Sequence, residues 1–371
     1  KKIVFVHNLS YEFQYLLNII ESDIKPFARK PHKVMKFDWN AYNIEMRCSY
    51  VLSNMSLETI ANSYKLPVRK LTGNLDYTTL HFPTTKLTDI ELAYCENDIL
   101  VMYHFVSMFK EQYKNVYDIP LTQTGEVRRE VKKLFKNDSN YFRKVWQLVP
   151  RDCFMFKILL EVFAGGYTHA NYIHTEDVLE NVKSKDLSSS YPASMCAFKY
   201  PMSQFIKLRS NDINVSRETY KDNCFIFDVT FERLNCKTFN TFISLSKCKN
   251  VRKSIVDNGR LRSADTVSIK VTDVDFSIIE STYEWESITV NAIYTAKADY
   301  LDKRYILKIL ELFGGKTTLK GIEESESLYM KKKQYINSLY GMMVTNVISD
   351  EVVFSDKEWQ VEKITLDGIN E

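Results

Sequence analysis

The stretch Asp186-Leu187-Ser188-Ser189-Ser190-Tyr191-Pro192 decides how this chain folds and what it can do. We expect its aspartate to stand at the end of a strand. A carboxylate in that place, followed by small residues, can hold a divalent metal ion while the backbone amides of the next turn face a triphosphate. An acidic loop that ends in Tyr-Pro is usually structural when it stands alone, so the neighbouring motifs decide between the two interpretations.

A second stretch, Lys333-Gln334-Tyr335-Ile336-Asn337-Ser338-Leu339-Tyr340-Gly341, has the spacing of a helix. Positions i, i+4 and i+7 place Lys333, Asn337 and Tyr340 on one helix face. An ammonium group, an amide and an aromatic ring on one face suit a triphosphate and the base that it carries. Taken alone, a solvated lysine above a packed tyrosine is the simpler explanation.

Together the two stretches resemble the polymerase motifs of family B DNA polymerases, Asp-x-x-Ser-Leu-Tyr-Pro and Lys-x-x-x-Asn-Ser-x-Tyr-Gly. Only Ser190, where leucine is usual, departs from the first pattern, and the second is complete. Phe163-Ala164-Gly165-Gly166-Tyr167 resembles the family's Tyr-x-Gly-Gly linker between exonuclease and polymerase, with phenylalanine in place of tyrosine. A plain turn is the alternative for this third segment.

Two further segments resemble the family's proofreading motifs. Tyr94-Cys95-Glu96-Asn97-Asp98 matches Tyr-x-x-x-Asp, and His7-Asn8-Leu9-Ser10-Tyr11-Glu12 lies where Asn-x-x-(Phe/Tyr)-Asp is expected. Glu12 replaces the aspartate, and one added methylene displaces a metal ligand, so a working 3′–5′ exonuclease is in doubt. Thr72 stands where a lysine is expected before Gly73. The family's Asp-x-Glu strand is not in this sequence.

The resemblance implies template-directed nucleotidyl transfer with two Mg²⁺ ions, or Mn²⁺, and Asp186 as catalytic residue and metal ligand. It implies an exonuclease site at Glu12, Tyr94 and Asp98, with Asp98 as a metal ligand. The glycine linker, Gly165, Gly166 and Tyr167, would contact DNA. The implied nucleotide-binding residues are Leu187, Ser188, Tyr191, Lys333, Asn337, Tyr340 and Lys320. A solvated charged loop is the alternative for Lys316 and Lys320.

The region between the two polymerase motifs narrows the resemblance to family B enzymes that start from a protein primer. Those enzymes carry an insertion there, and 197–300 has the size and the β-rich pattern that it needs. The run 271–276 resembles a segment near the end of that insertion. It does not fit the family's Asp-Thr-Asp strand, because that strand follows the lysine helix, and none is seen after Gly341. Without this last polymerase motif and the first exonuclease motif, the sequence as given is expected to be a fragment that binds DNA but does not polymerise. The implied partners are template-primer DNA, dNTPs and a terminal protein primer.

The resemblance implies an α+β multidomain fold with a partial ribonuclease-H-like 3′–5′ exonuclease domain, a partial palm, an inserted module and helical fingers. We expect five segments: 1–118 exonuclease-like, 119–196 linker and start of the palm, 197–300 insertion, 301–345 fingers, and 346–371 start of a second insertion or return to the palm.

We also predict a strand at 3–6, a helix at 11–20, and a helix at 87–109 capped by Thr88. The last would bury Leu92, Ile99, Leu100, Tyr103 and Val106.

Composition sets the outer limits. With 371 residues, 45% apolar and 26% charged, the chain suits two or three domains and neither disorder nor a membrane span. Seven scattered cysteines without a Cys-x-x-Cys pair indicate neither a disulfide framework nor a zinc knuckle. A reducing cytoplasm, bacterial or phage-infected, fits them, with an organelle as the alternative. A net charge of +3 does not by itself indicate nucleic acid, although 128–144 and 247–262 are locally basic.

Three other functions compete with that of a polymerase. A truncated, non-catalytic DNA-binding remnant predicts loss of Asp186 or Lys333, and both are present. Glu12 and Thr72 disfavour a stand-alone nuclease. A nucleotide-binding enzyme of another fold would need a Gly-x-x-x-x-Gly-Lys run, which the sequence lacks.

Overall fold

In a computed structural model of the chain, the structure describes residues 1–20, 24, 26–71, 80–82, 84–170, 172–322, 325–343, 350–355 and 358–363. These residues form two units, one made of 1–136 with nearly all residues after 303, and the other of 137–303. The finer division into five segments stays a prediction.

The first unit contains a four-stranded sheet and a hairpin. In the order β1-β4-β3-β2, β1 runs parallel to β4 and the other neighbours are antiparallel. The strand predicted at 3–6 is confirmed. The strands of the sheet are β1 (Lys2–Val6), β2 (Pro26–Ala28), β3 (Val34–Trp39) and β4 (Ile44–Cys48), and the hairpin is β13 (Glu351–Ser355) and β14 (Glu358–Glu362).

The helices of this unit are α1 (Leu9–Leu16), α2 (Ser49–Ser53), α3 (Leu57–Ser63), α4 (Asp89–Tyr113), α5 (Gln123–Leu134), α11 (Lys303–Thr317) and α12 (Glu326–Met343). Helix α1 is shorter than the helix predicted at 11–20: it begins at Leu9 and ends at Leu16. Helix α11 runs without interruption through Gly314 and Gly315. The side chain of Lys332 explains one of them: its Nζ lies 3.0 Å from where a Cβ on Gly315 would stand.

Helix α4 starts as predicted and buries a different face from the one predicted. Thr88 accepts a hydrogen bond from the Glu91 amide, and the Glu91 side chain accepts one from the Thr88 amide, which forms a complete capping box. The buried stripe is Val101, Phe105 and Phe109, spaced by four residues. Because apolar residues occur all round α4, the contacts with α3 select the stripe. Four residues of the predicted face are exposed: Leu92, Ile99, Leu100 and Tyr103.

The second unit is built on an eight-stranded sheet in the order β5-β12-β7-β10-β8, with β6 paired to β12, β9 to β10 and β11 to β7. Its strands are β5 (Tyr200–Pro201), β6 (Ile206–Lys207), β7 (Asn223–Cys236), β8 (Cys248–Arg252), β9 (Ile255–Asp257), β10 (Arg260–Thr272), β11 (Tyr283–Glu284) and β12 (Ser287–Asp299). Its helices are α6 (Ser139–Leu148), α7 (Cys153–Val162), α8 (Ser190–Ala197), α9 (Ile213–Thr219) and α10 (Asp273–Thr282).

The two faces of this sheet have different coverings. Phe227, Val229 and Phe231 alternate along β7 toward a core that α10 closes with Phe276. On the other face α7 packs Ile158 against β7 and β12. No helix among the described residues is long and apolar enough to cross a membrane.

A buried ion pair holds β4 to the connection between α4 and α5. Arg47 Nε donates to Glu45 Oε1 at 2.6 Å, and Arg47 Nη1 donates to the carbonyls of Val116 and Ile119 at 3.3 and 3.2 Å. The side chains of Arg47 and Glu45 are 8% and 11% exposed. Each charge is therefore compensated almost entirely by protein groups.

We expect Arg47→Met to lower the free energy of unfolding by about 3 kcal/mol, because it leaves the Glu45 carboxylate buried without its main partner. Replacing both residues by methionine should cost clearly less, since no charge is then left unpaired. Urea denaturation measures both losses. A double variant that is less stable than Arg47→Met would contradict this account of the pair.

Candidate functional site

The segment that carries Asp186 is extended but pairs with no strand among the described residues, so the expectation that Asp186 ends a strand is wrong. A strand needs a neighbour to satisfy its backbone groups, and 182–187 has none here. The Asp186 carboxylate is exposed. After it, Ser189 adopts a left-handed conformation with φ 53° and forms the N-cap of α8. The predicted metal ligand, Asp186, therefore lies three residues before the N-cap of α8.

Tyr191 lies in the first turn of α8 and touches the glycine linker. Pro192 and Met195 are buried and anchor the helix, whereas Tyr191 is 46% exposed. A Cβ atom on Gly166 would stand 2.6 Å from Tyr191 Oη. The structure thus brings together two segments that the sequence presents as separate motifs.

Tyr167 fastens the end of the linker to the sheet of the same unit. Its hydroxyl donates to the carbonyl of Thr241 at 2.9 Å, and its ring stacks on Phe242 with a centroid distance of 6.0 Å. The guanidinium of Arg260 lies 4.6 Å from the centre of the Tyr167 ring. Tyr167 is nevertheless 49% exposed, and Gly165 and Gly166 are exposed as well, so all three residues predicted to contact DNA are accessible.

The other end of the linker is held by Glu161, near the end of α7. Its carboxylate accepts hydrogen bonds from Lys270, at 2.7 Å, and from Lys249. Lys270 also lies 3.5 Å from Asp228. These lysines lower the pKa of the Glu161 carboxyl group, although its partial burial opposes them. The linker begins directly after this charged cluster.

The helix predicted for 333–341 is confirmed as part of α12, with the predicted face turned outward. Lys333 and Asn337 are exposed and Tyr340 is half-buried, whereas Ile336 and Leu339 are buried in the first unit. Asp186 belongs to the other unit. The first unit therefore presents an ammonium group and an amide together, one helical turn apart.

Lys331 lies on the packed side of α12 and contacts Tyr64 and Glu126. Its Nζ lies 4.1 Å from the centre of the Tyr64 ring on α3. Burial lowers the pKa of Lys331, and the nearby Glu126 carboxylate on α5 opposes this effect. Burial raises the pKa of Glu126, and Lys331 counteracts that in turn. A second contact to α5 is the hydrogen bond from Gln123 Nε2 to Gln334 Oε1 at 3.2 Å.

Lys316 and Lys320 differ in their surroundings. Lys316 is 7% exposed in α11, with Nζ 5.8 Å and 6.0 Å from the ring centres of Phe313 and Tyr329. The alternative of a solvated loop is therefore wrong for Lys316. Lys320 lies in the turn after α11 and is exposed, which leaves its predicted contact with a triphosphate untested.

The predicted exonuclease residues are held on α4 and α1. Asp98 is half-buried, and its Oδ1 is buried without a hydrogen-bond partner among the described residues. Burial raises the pKa of Asp98, and Lys70 opposes the rise. Glu12 is exposed on α1. Within the described ranges no group of three His, Cys, Asp or Glu could hold a metal ion.

Lys70 is the residue at this site that sequence comparison missed. Its Nζ lies 5.5 Å from the centre of the Tyr94 ring, and together with burial it lowers the pKa of His7 to about 4. The preceding residue is anchored, because Asn97 Nδ2 donates to the carbonyl of Arg69 at 2.7 Å. The expected lysine position, Thr72 before Gly73, lies outside the described residues.

We expect Lys331→Met to lower the free energy of unfolding by about 2 kcal/mol, because it removes the half-buried cation from Tyr64 and takes the largest counter-charge away from Glu126. The matched control is Lys333→Met on the exposed face of the same helix, which should change stability by less than about 0.5 kcal/mol. Chemical denaturation gives both values. Equal losses would contradict the different roles assigned to the two lysines.

The family model described as DNA polymerase type B, organellar and viral, matches residues 72–370. No curated protein sequence shows significant similarity.

Three solved structures of Phi29 DNA polymerase resemble the chain. The ternary complex with primer-template DNA and incoming nucleotide substrates is 18% identical, with a TM-score of 0.71 over 97% of this chain and 63% of that one. The binary complex with primer-template DNA is 17% identical, with a TM-score of 0.67 over 97% and 63%. The complex with single-stranded DNA is 17% identical, with a TM-score of 0.68 over the same shares.

The structural likeness establishes a mixed, multidomain α/β fold, and the chain spans about 63% of the length of the Phi29 enzyme. The family model covers most of the chain and includes both the Asp186 and the Lys333 segments. The chain belongs to the organellar and viral family of type B DNA polymerases.

Proposed function

We propose that the protein acts as a DNA-directed DNA polymerase that transfers nucleotidyl groups by a two-metal mechanism and starts from a protein primer. The observation that carries the proposal is the exposed face of α12, where Lys333 and Asn337 stand side by side on a helix whose other face is packed. The resemblance of this helix to the Lys-x-x-x-Asn-Ser-x-Tyr-Gly motif of family B polymerases supports the proposal that it binds the incoming nucleotide.

The Asp186 carboxylate would hold the metal ions of the polymerase reaction. It is exposed and acidic, which suits Mg²⁺ or Mn²⁺, although it is the only carboxylate that we assign to that site. Bound divalent ions would supply the positive charge that activates the primer hydroxyl and stabilises the leaving pyrophosphate. In the exonuclease site the orphaned Oδ1 of Asp98 is the atom best suited to a metal ion.

The remaining side chains would bind the nucleotide. Lys333 would neutralise charge that develops on the transferred phosphates, with Lys320 as a second contact. The backbone of Leu187 and Ser188 would hold the triphosphate. Tyr191 would lie beneath the sugar and reject a 2′-hydroxyl by its bulk. Asn337 and Tyr340 would shape the pocket for the new base pair. Lys316 has no place in this assignment, because it is buried among aromatic rings.

The partners follow from the family and from the open linker. The Phi29 structures hold primer-template DNA and nucleotides, and we propose the same classes of partner for this protein. The backbone of Gly165 and Gly166 would approach template phosphates, since glycine permits close approach. The sheet of the second unit, which occupies most of 197–300, would contact a terminal protein primer. The cytoplasm of a bacterial or phage-infected host is the proposed compartment, with an organelle as the alternative.

In a longer chain that includes the first exonuclease and last polymerase motifs, we expect Asp186→Ala and Lys333→Ala each to lower primer extension by about 10³-fold, because each removes a charge that acts on the reacting phosphates. Duplex binding should stay near that of the parent. The matched control is Lys308→Ala on α11, whose ammonium is paired with Glu311 at 2.9 Å. Extension by either active-site variant at the rate of the control would refute the assignment. A parent protein that binds DNA without extending primers would favour the non-catalytic remnant.

We also propose a 3′–5′ exonuclease site formed by Glu12, Tyr94 and Asp98, with Lys70 as its cation. Lys70→Ala should slow digestion of single strands by about 10²-fold, since no other cation is assigned to the phosphate there. Lys70→Arg keeps the charge and should retain most of the rate. Digestion that is insensitive to Lys70→Ala would exclude this lysine from the site.

A further inference from the structure

The hydroxyl oxygen of Tyr191 lies in the space that a side chain at position 166 would occupy. A Cβ atom at position 166 would stand 2.6 Å from Tyr191 Oη but 3.9 Å from Tyr191 Cζ. The first distance is too short for any side chain, whereas the second is an ordinary van der Waals contact. The phenolic oxygen is therefore the atom that would have to move if position 166 carried a side chain.

The two linker glycines are not equivalent. A Cβ atom on Gly165 would meet nothing within 4 Å. Neither glycine has the positive φ that would by itself require glycine. With the Tyr191 ring in its present place, only glycine fits at position 166. Position 165 is the adjacent residue and has no such clash, so it provides a matched comparison.

A side chain at position 166 would move the Tyr191 ring and leave the backbone in place. The obstructing atom is the far end of a side chain, which can rotate, whereas Pro192 and Met195 bury the helix that carries it. Tyr191 is 46% exposed, so the ring has solvent-accessible space into which it can move. The proposed function places the sugar of the nucleotide against this ring.

We propose that Gly166 is a specificity-determining residue: by lacking a side chain it sets the position of the Tyr191 phenol, and with it the space left for the 2′ position of the incoming nucleotide. This inference rests on the proposed role of Tyr191 beneath the sugar. Gly166 acts through Tyr191 and is a positioning residue.

The test compares the kcat/KM ratio for dNTP over NTP in the polymerase with Gly166→Ala, with Gly165→Ala, and with each change in a Tyr191→Phe background. Gly166→Ala should raise the ratio about tenfold, because the added methyl group pushes the phenol into the sugar space. Gly165→Ala should leave the ratio within about twofold of the parent, whatever it does to DNA affinity. In the Tyr191→Phe background the clashing oxygen is gone, so Gly166→Ala should have no further effect.

A ratio that stays or falls in Gly166→Ala overturns the inference, as does a rise of equal size in the Tyr191→Phe background. A second readout does not depend on catalysis: 3-fluorotyrosine at position 191 should show a ¹⁹F shift in Gly166→Ala and not in Gly165→Ala. An unchanged ¹⁹F signal in Gly166→Ala also overturns the inference. If the parent polymerase does not extend primers, the proposed function fails, and the fluorine signal alone decides whether Gly166 positions the ring.

Discussion

The burial of the Lys331 ammonium against the Tyr64 ring, beside Glu126, fixes which face of α12 turns outward. Burying a cation is unfavourable unless partners replace the water that it loses. Here an aromatic face and a carboxylate do so, and only one rotation of α12 about its axis brings Lys331 to them. Since successive residues on a helix are about 100° apart, that same rotation turns Lys333 away from the core. Lys331, a structural lysine, thus holds in position the lysine that we propose contacts the nucleotide.

The second unit applies a comparable constraint to the glycine linker. Glu161 at the end of α7 is tied to Lys249 and Lys270, and Tyr167 is tied to the carbonyl of Thr241. The short segment between these two anchors has little freedom, even though Gly165 has no side-chain neighbour. A linker held at both ends can present its backbone to a phosphate and can also limit where the Tyr191 ring lies.

Sequence predicted the parts of the structure that depend on local chemistry. The helix of Lys333 and Asn337 and the Thr88 cap follow from spacing and from side chains that bond nearby amides, and both are confirmed. The strand at Asp186 was wrong because a strand depends on a distant partner. The buried face of α4 was wrong because apolar residues surround that helix. Lys70 was not predicted, because its position depends on a tertiary contact: Asn97 donates a hydrogen bond to the carbonyl of Arg69, and this brings Lys70 to Tyr94.

The central claim is that the outward face of α12 binds the incoming nucleotide, and photoaffinity labelling tests it most directly. A dNTP with a photoreactive azido group on the base would be irradiated with the protein, Mg²⁺ and primer-template DNA, and the labelled peptides identified by mass spectrometry. We expect labelling of the α12 peptide that carries Asn337 and Tyr340, suppressed by excess unmodified dNTP. Labelling confined to other segments, or labelling of α12 that excess dNTP does not suppress, would contradict the account.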